Sequence, residues 1–150
     1  MFIVITPPYF HKMVIDKSFD VVISFLEGHA TLIGSSISAR KKIAWCHTNL
    51  KTYHWTSNFF ISDEVERACY SKFDEIVFVS QSGLAGFCEL YPDVNVHKSI
   101  IPNVFNVSQI VELARGPVIF SGFTFISVGR LTAVKGFDRL IEAFANVCQR

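Results

Sequence analysis

The chain has 150 residues, half of them hydrophobic and 14% aromatic, with a formal net charge of +1. This composition can bury a core and is not that of a disordered segment, and the near-zero charge, with no block of one sign, gives nucleic acid no electrostatic footprint. No apolar run approaches the roughly 20 residues needed to span a bilayer, and the opening MFIVITPPYF, broken by Pro7 and Pro8 and lacking a basic start, does not read as a secretory signal. Cys46, Cys69, Cys88 and Cys148 are widely spaced with no C-x-x-C pair, so reduced, buried thiols in a cytoplasmic chain are expected.

Short apolar runs alternate with helix-length segments, the pattern of a parallel sheet covered by helices. A first strand is expected over residues 20–24 (DVVIS) and a helix over 30–38. A second strand follows at 42–46 (KIAWC), then a helix over 58–72 with Ile61, Val65, Ala68 and Cys69 on its inward side. The third strand, 75–79 (EIVFV), leads to a helix over 81–90. Ser80 is its N-cap, Leu84, Phe87, Cys88 and Tyr91 form its apolar stripe, and Pro92 stops it. A fourth strand lies at 99–101. Each of these runs is hydrophobic nearly throughout, as strands buried on both faces are.

The alternation breaks between about residues 102 and 122, around a short helical piece at 107–114, and this stretch divides the chain. Residues 1–103 form the first domain, 104–122 a linker, and 123–150 the start of a second domain; the apolar run 118–120 has no assigned place. A further strand is expected at 123–128 (FTFISV) and an amphipathic helix from about Gly136, with Phe137, Leu140, Ile141, Phe144, Ala145 and Cys148 on one face. Between strand and helix lie Gly129, Arg130, Lys135 and Gly136. A phosphate held there would meet free backbone N–H groups, the positive end of the helix dipole and two cations, one a planar fork and the other a mobile point charge. On these residues alone, the reading that both cations only solvate the rim of the loop stands beside it.

Two further positions carry candidate chemistry, His47 and Glu27. His47 stands at the C-terminal end of the second strand, before Thr48 and Asn49, where open parallel sheets place ligand contacts. Glu27, in SFLEGHA, follows the first strand and either binds a ligand hydroxyl or complements the dipole of the next helix. Ser80 is accounted for by capping, and His29 and His54 by surface or structural roles. Cys46, His47, His54 and Cys69 have neither zinc-ribbon nor H-E-x-x-H spacing, so no metal is expected.

The blocks FDVVIS, KIAWCHTNL, FDEIVFVSQSGLAGFCELYP, IIPN and ISVGRLTAVKGFDRLIEAF, in this order and spacing, together resemble the retaining glycosyltransferases of family 4, which have the GT-B fold of two Rossmann-like domains. The resemblance implies an α/β fold: a partial N-terminal Rossmann-like domain, then the first βα unit of a donor-binding domain. It implies transfer of a hexosyl or N-acetylhexosaminyl group from a nucleoside-diphosphate sugar to a glycan or lipid-linked acceptor in polysaccharide, lipopolysaccharide or capsule assembly, with peripheral membrane association. Arg130, Lys135 and Gly129 would hold the donor diphosphate and His47 the donor sugar, with Glu27 at the acceptor and no cofactor or metal. Val104 stands where the family's P-N-G turn has Gly, and a β-branched residue tolerates left-handed backbone poorly, so the turn after Asn103 must differ. The family's E-x(7)-E element and its N-terminal Gly-rich loop are not found, which marks the chain as an internal piece of such an enzyme. The alternatives are a sugar-nucleotide epimerase of the same fold and a non-catalytic interaction module.

Overall fold

The computed structural model describes residues 18–117 and 121–148, so the run 118–120 lies outside the described residues. They separate into two compact units, the first ending at Phe105 and the second beginning at Asn106.

The first unit is built on four strands, β1 (Phe19–Ser24), β2 (Ala39–Cys46), β3 (Glu75–Phe78) and β4 (His97–Ile100), all parallel and in sequential order across the sheet. The connections carry α1 (His29–Ser36), α2 (Asp63–Tyr70) and α3 (Gln81–Leu90), with a 3-10 turn at Trp55–Asn58 before α2. Crossovers of one hand that advance in one direction put their helices on one face. That face carries Ser24, Ala44, Cys46, Ile76 and Phe78, and it closes over Tyr70 of α2 and Phe87 of α3; all of these are buried. The sequence expectation of an α/β, Rossmann-like parallel sheet therefore agrees with the observed layer.

The opposite face departs from it. Phe19, Val21 and Ile23 of β1 are 39%, 49% and 53% exposed, although Val77 at the sheet centre is buried on the same side. The expectation that every strand is buried on both faces fails at β1. The described helices of this unit leave that side of β1 uncovered, and β1 pairs along one edge only, with β2.

Local chemistry sets the helix ends. The Ser62 hydroxyl accepts from Val65 N at 3.4 Å to begin α2, and Ser80 accepts from Gly83 N at 3.1 Å to begin α3, each satisfying an orphan donor of the first turn. Helix α1 packs against β1 so closely that a Cβ on Gly34 would stand 1.9 Å from Ser24 Oγ. The inward face of α2 is not the expected one. Its buried residues are Glu66, Cys69 and Tyr70, while Ile61 and Val65 are 80% and 39% exposed. A carboxyl whose bonding partners are already inside can turn inward, and doing so turns Val65 outward, while Ile61 lies before the N-cap of the helix. Cys88 and Cys148 are exposed and only Cys46 and Cys69 are buried, so the expectation of buried thiols holds for two of them; α3 turns Gly83, Gly86 and Phe87 to the sheet instead of Cys88.

The second unit contains α4 (Val107–Leu113), a 3-10 turn at Ala133–Lys135 and α5 (Phe137–Cys148). The expected strand at 123–128 is not formed: Phe123, Phe125, Ile126 and Val128 are 89%, 64%, 80% and 92% exposed. A strand needs a ladder partner for its backbone groups, and the described residues of this unit supply none. Phe125 instead stacks edge-on against Phe144 of α5 at 5.7 Å. Among the described residues no side-chain-bearing residue has positive φ, so Val104 avoids the left-handed turn.

Candidate functional site

The C-terminal ends of β1 and β2 bring Glu27 and His47 together. Glu27 is 3% exposed, and its Oε1 accepts from the backbone N–H of His47 at 2.5 Å and of Thr48 at 2.6 Å. Charge-assisted bonds of this length are among the stronger ones in proteins. They close the end of β2, where the ladder stops and two N–H groups would otherwise be orphaned. The first turn of α1 holds no acid, so Glu27 does not complement that helix. The expected acceptor contact is also not what this geometry offers, since a buried carboxyl spent on two backbone donors is a positioning group for His47.

Gly28 makes that placement possible. Its φ of 75° is in the left-handed region, and the Trp55 ring lies 3.2 Å from where its Cβ would be. A side chain there would be strained by backbone and blocked by indole at once. Behind Trp55, Phe59 meets both it and His29, with ring centroids 5.3 and 4.3 Å apart.

His47 is half-buried, and its ring stacks edge-on against Phe25 at 5.0 Å. Its Nε2 is buried without a hydrogen-bond partner, as is Nε1 of Trp45, which also packs on Phe25. Unpaired buried polar atoms are uncommon and mark strain or function. A neutral imidazole nitrogen in this position can donate to or accept from a hydroxyl without adding a full charge. Beside it, Asn49 Nδ2 donates to Ser82 O at 2.9 Å, tying the β2 end to the start of α3. Ser80 is occupied by its cap.

Beneath these strand ends lies an acidic and phenolic interior. Burial pushes the Cys46 thiol far up, with the Glu27 and Glu66 carboxylates adding to it and a bond to Tyr70 opposing. Burial likewise raises the Tyr70 phenol. Cys46 is therefore held as an unreactive thiol. Glu66 accepts from Thr56 Oγ1 at 2.8 Å and meets His54 Nε2 at 2.8 Å, a constellation that sequence spacing does not reveal. Among the described residues no three His, Cys, Asp or Glu side chains gather as a metal site would require.

In the second unit, the segment from Gly129 to Gly136 folds back on itself. Thr132 N donates to Arg130 O at 2.8 Å, Lys135 N donates to Thr132 O at 2.9 Å, and Gly136 has φ 63° with its carbonyl accepting from Leu140 N at 3.0 Å. The Lys135 stem passes 3.7 Å from the Cβ position of Gly129, and Phe137 closes over the same glycine at 3.3 Å. Arg139, a cation not singled out from the sequence, lays its guanidinium 3.3 Å from the Cβ position of Gly136. Arg130 and Lys135 are both exposed. Helix α5 thus begins where expected, just after Lys135 and Gly136, and its first-turn N–H groups have no partner within the helix.

Comparison with protein-family models, with curated proteins and with solved structures finds no match to this chain.

Proposed function

We propose that the chain belongs to a retaining glycosyltransferase of the GT-B fold, with the sheet unit on the acceptor side and the second unit opening the donor-binding domain. The observation that carries this reading is the strand-end imidazole. His47 follows a parallel strand, is fixed through its own backbone N–H by Glu27, and keeps an unpaired ring nitrogen. Such a group suits a sugar hydroxyl. The exposed cations Arg130 and Lys135 beside the N-terminus of α5 suit a leaving diphosphate, since preorganised positive charge where negative charge develops often contributes more to catalysis than any other single effect. The donor is then a nucleoside-diphosphate sugar and the acceptor a glycan or lipid-linked saccharide, at the cytoplasmic membrane surface, with neither metal nor cofactor invoked.

Release of nucleoside diphosphate from a panel of nucleotide sugars by the active enzyme tests the reading. Arg130→Ala and Lys135→Ala should each lower kcat/KM by about 2–4 kcal/mol of transition-state stabilisation, and His47→Ala should lower turnover with the melting temperature nearly kept. Full activity in both cation variants would refute the donor assignment. A second reading, a non-catalytic interaction module, is favoured by one observation, the exposed apolar row Phe19, Val21, Ile23 and Phe25, since contiguous apolar patches mark interaction sites. No turnover together with a partner whose binding is lost in Val21→Lys would favour it.

A further inference from the structure

We infer that Glu66 is a positioning residue for the His47 strand end, acting through the β2–α2 loop. Its functional meaning rests on the proposed role of His47. Glu66 and Thr56 are each fully buried and His54 is half-buried. The two Glu66 oxygens are divided between the loop residues on either side of Trp55: Oε1 accepts from Thr56 Oγ1 at 2.8 Å, and Oε2 meets His54 Nε2 at 2.8 Å. His54 Nε2 also lies 3.2 Å from the Tyr91 hydroxyl at the α3 end. Trp55 is held from both sides.

What Trp55 does with that rigidity is visible at the site. Its ring stands against Gly28, 3.2 Å from the Cβ position, and Gly28 is the neighbour of Glu27, whose carboxyl binds the N–H groups of His47 and Thr48. The path from Glu66 to the site therefore runs through its bonds to His54 and Thr56, the chain neighbours of Trp55, then from the Trp55 ring to the Cβ position of Gly28, and through Glu27 to the backbone of His47. A surface carboxyl could not serve. Burial makes the bonds strong and makes loss of either one costly, so the loop has one favoured arrangement, and with it the imidazole. A purely apolar α2 face would pack the sheet but leave residues 47–62 free to shift.

Amide hydrogen exchange followed by NMR on the whole chain distinguishes positioning from general stabilisation. In Thr56→Val, which removes one of the two bonds and keeps the volume, exchange at the His47 and Thr48 amides should quicken about tenfold while the β3 amides of Ile76 and Phe78 keep their protection. Glu66→Gln keeps the length and an acceptor oxygen and should show the same local pattern. Glu66→Asp, which keeps the charge but not the reach, should not restore wild-type exchange. Where Glu66 variants fail to fold, Thr56→Val decides. Unchanged exchange at His47 and Thr48 in Thr56→Val, or a rise that the β3 amides share equally, would overturn the inference. Neither outcome involves a sugar or nucleotide, so failure here is separable from failure of the glycosyltransferase reading.

Discussion

Replacing Glu27 tests the site at its most heavily committed atom. Oε1 accepts two backbone N–H groups at 2.5 and 2.6 Å, and the residue is 3% exposed. Glu27→Ala removes both acceptor bonds and leaves the His47 and Thr48 donors without partners at a half-buried strand end. A hydrogen bond to a charged group contributes about 1.5–3 kcal/mol, so the pair should be worth about 3–6 kcal/mol. Glu27→Gln leaves an amide oxygen in the same place and should cost about 2–3 kcal/mol, the difference between charged and neutral acceptors summed over the two bonds. Urea unfolding read by tryptophan fluorescence is the assay, because both tryptophans, Trp45 and Trp55, belong to the sheet unit. The slope should stay constant while the midpoint falls. A domain at the low end of the usual margin of about 5–15 kcal/mol survives the Gln change and comes close to unfolding with Ala. Equal losses for Ala and Gln would mean that shape and not acceptance matters, and a loss under about 1 kcal/mol for Ala would refute the idea that Glu27 holds the strand end.

Two further outcomes follow from close contacts in the same unit. Gly34→Ala should destabilise by about 1–3 kcal/mol through overpacking, because its Cβ would lie 1.9 Å from Ser24 Oγ. Adding Ser24→Ala should recover most of that loss in thermal melts, since Ser24 Cβ is 3.3 Å from the same point. The Ser99 hydroxyl, donating at 2.9 Å, and then Lys41 hold the Glu75 carboxyl below its usual value. A lowered folded value means that this stabilisation is fully present above the ordinary carboxylate range and is lost as pH falls through the lowered value. Carboxyl NMR titration should show Ser99→Ala moving Glu75 back toward the ordinary value, and an unmoved titration would show that the bond is not what lowers it.

Much of the sheet is legible in the sequence because nearly apolar runs such as EIVFV and the interval between them encode parallel strands directly. Observed β3 and α3 lie within a residue of the expected spans. The capping serines Ser62 and Ser80 are local signals of the same kind, although only Ser80 is expected as a cap from its surroundings. What fails depends on partners distant in sequence. The run at 123–128 has strand chemistry but finds no ladder partner among the described residues. Glu66 lies on the inward face of α2 because His54 and Thr56 reach it from a loop about 10 residues earlier, and periodicity treats a charge as outward. His47 is recognisable from its strand end, but the carboxyl that fixes it reads as a ligand contact, since nothing in the spacing of Glu27 and His47 announces a bond across the sheet end.

The central claim is that the segment from Gly129 to Gly136 receives the diphosphate of a nucleotide-sugar donor, and NMR titration of the chain with UDP and GDP addresses it most directly. Two exposed cations and one helix end offer phosphate contacts but little enclosure for base or sugar among the described residues, so the ordering cost of binding is barely met and affinity should be about millimolar. Amide shifts should concentrate between Gly129 and Asp138 and fade in Arg130→Ala and Lys135→Ala. Shifts that map elsewhere, or that persist unchanged in both variants, would contradict the account.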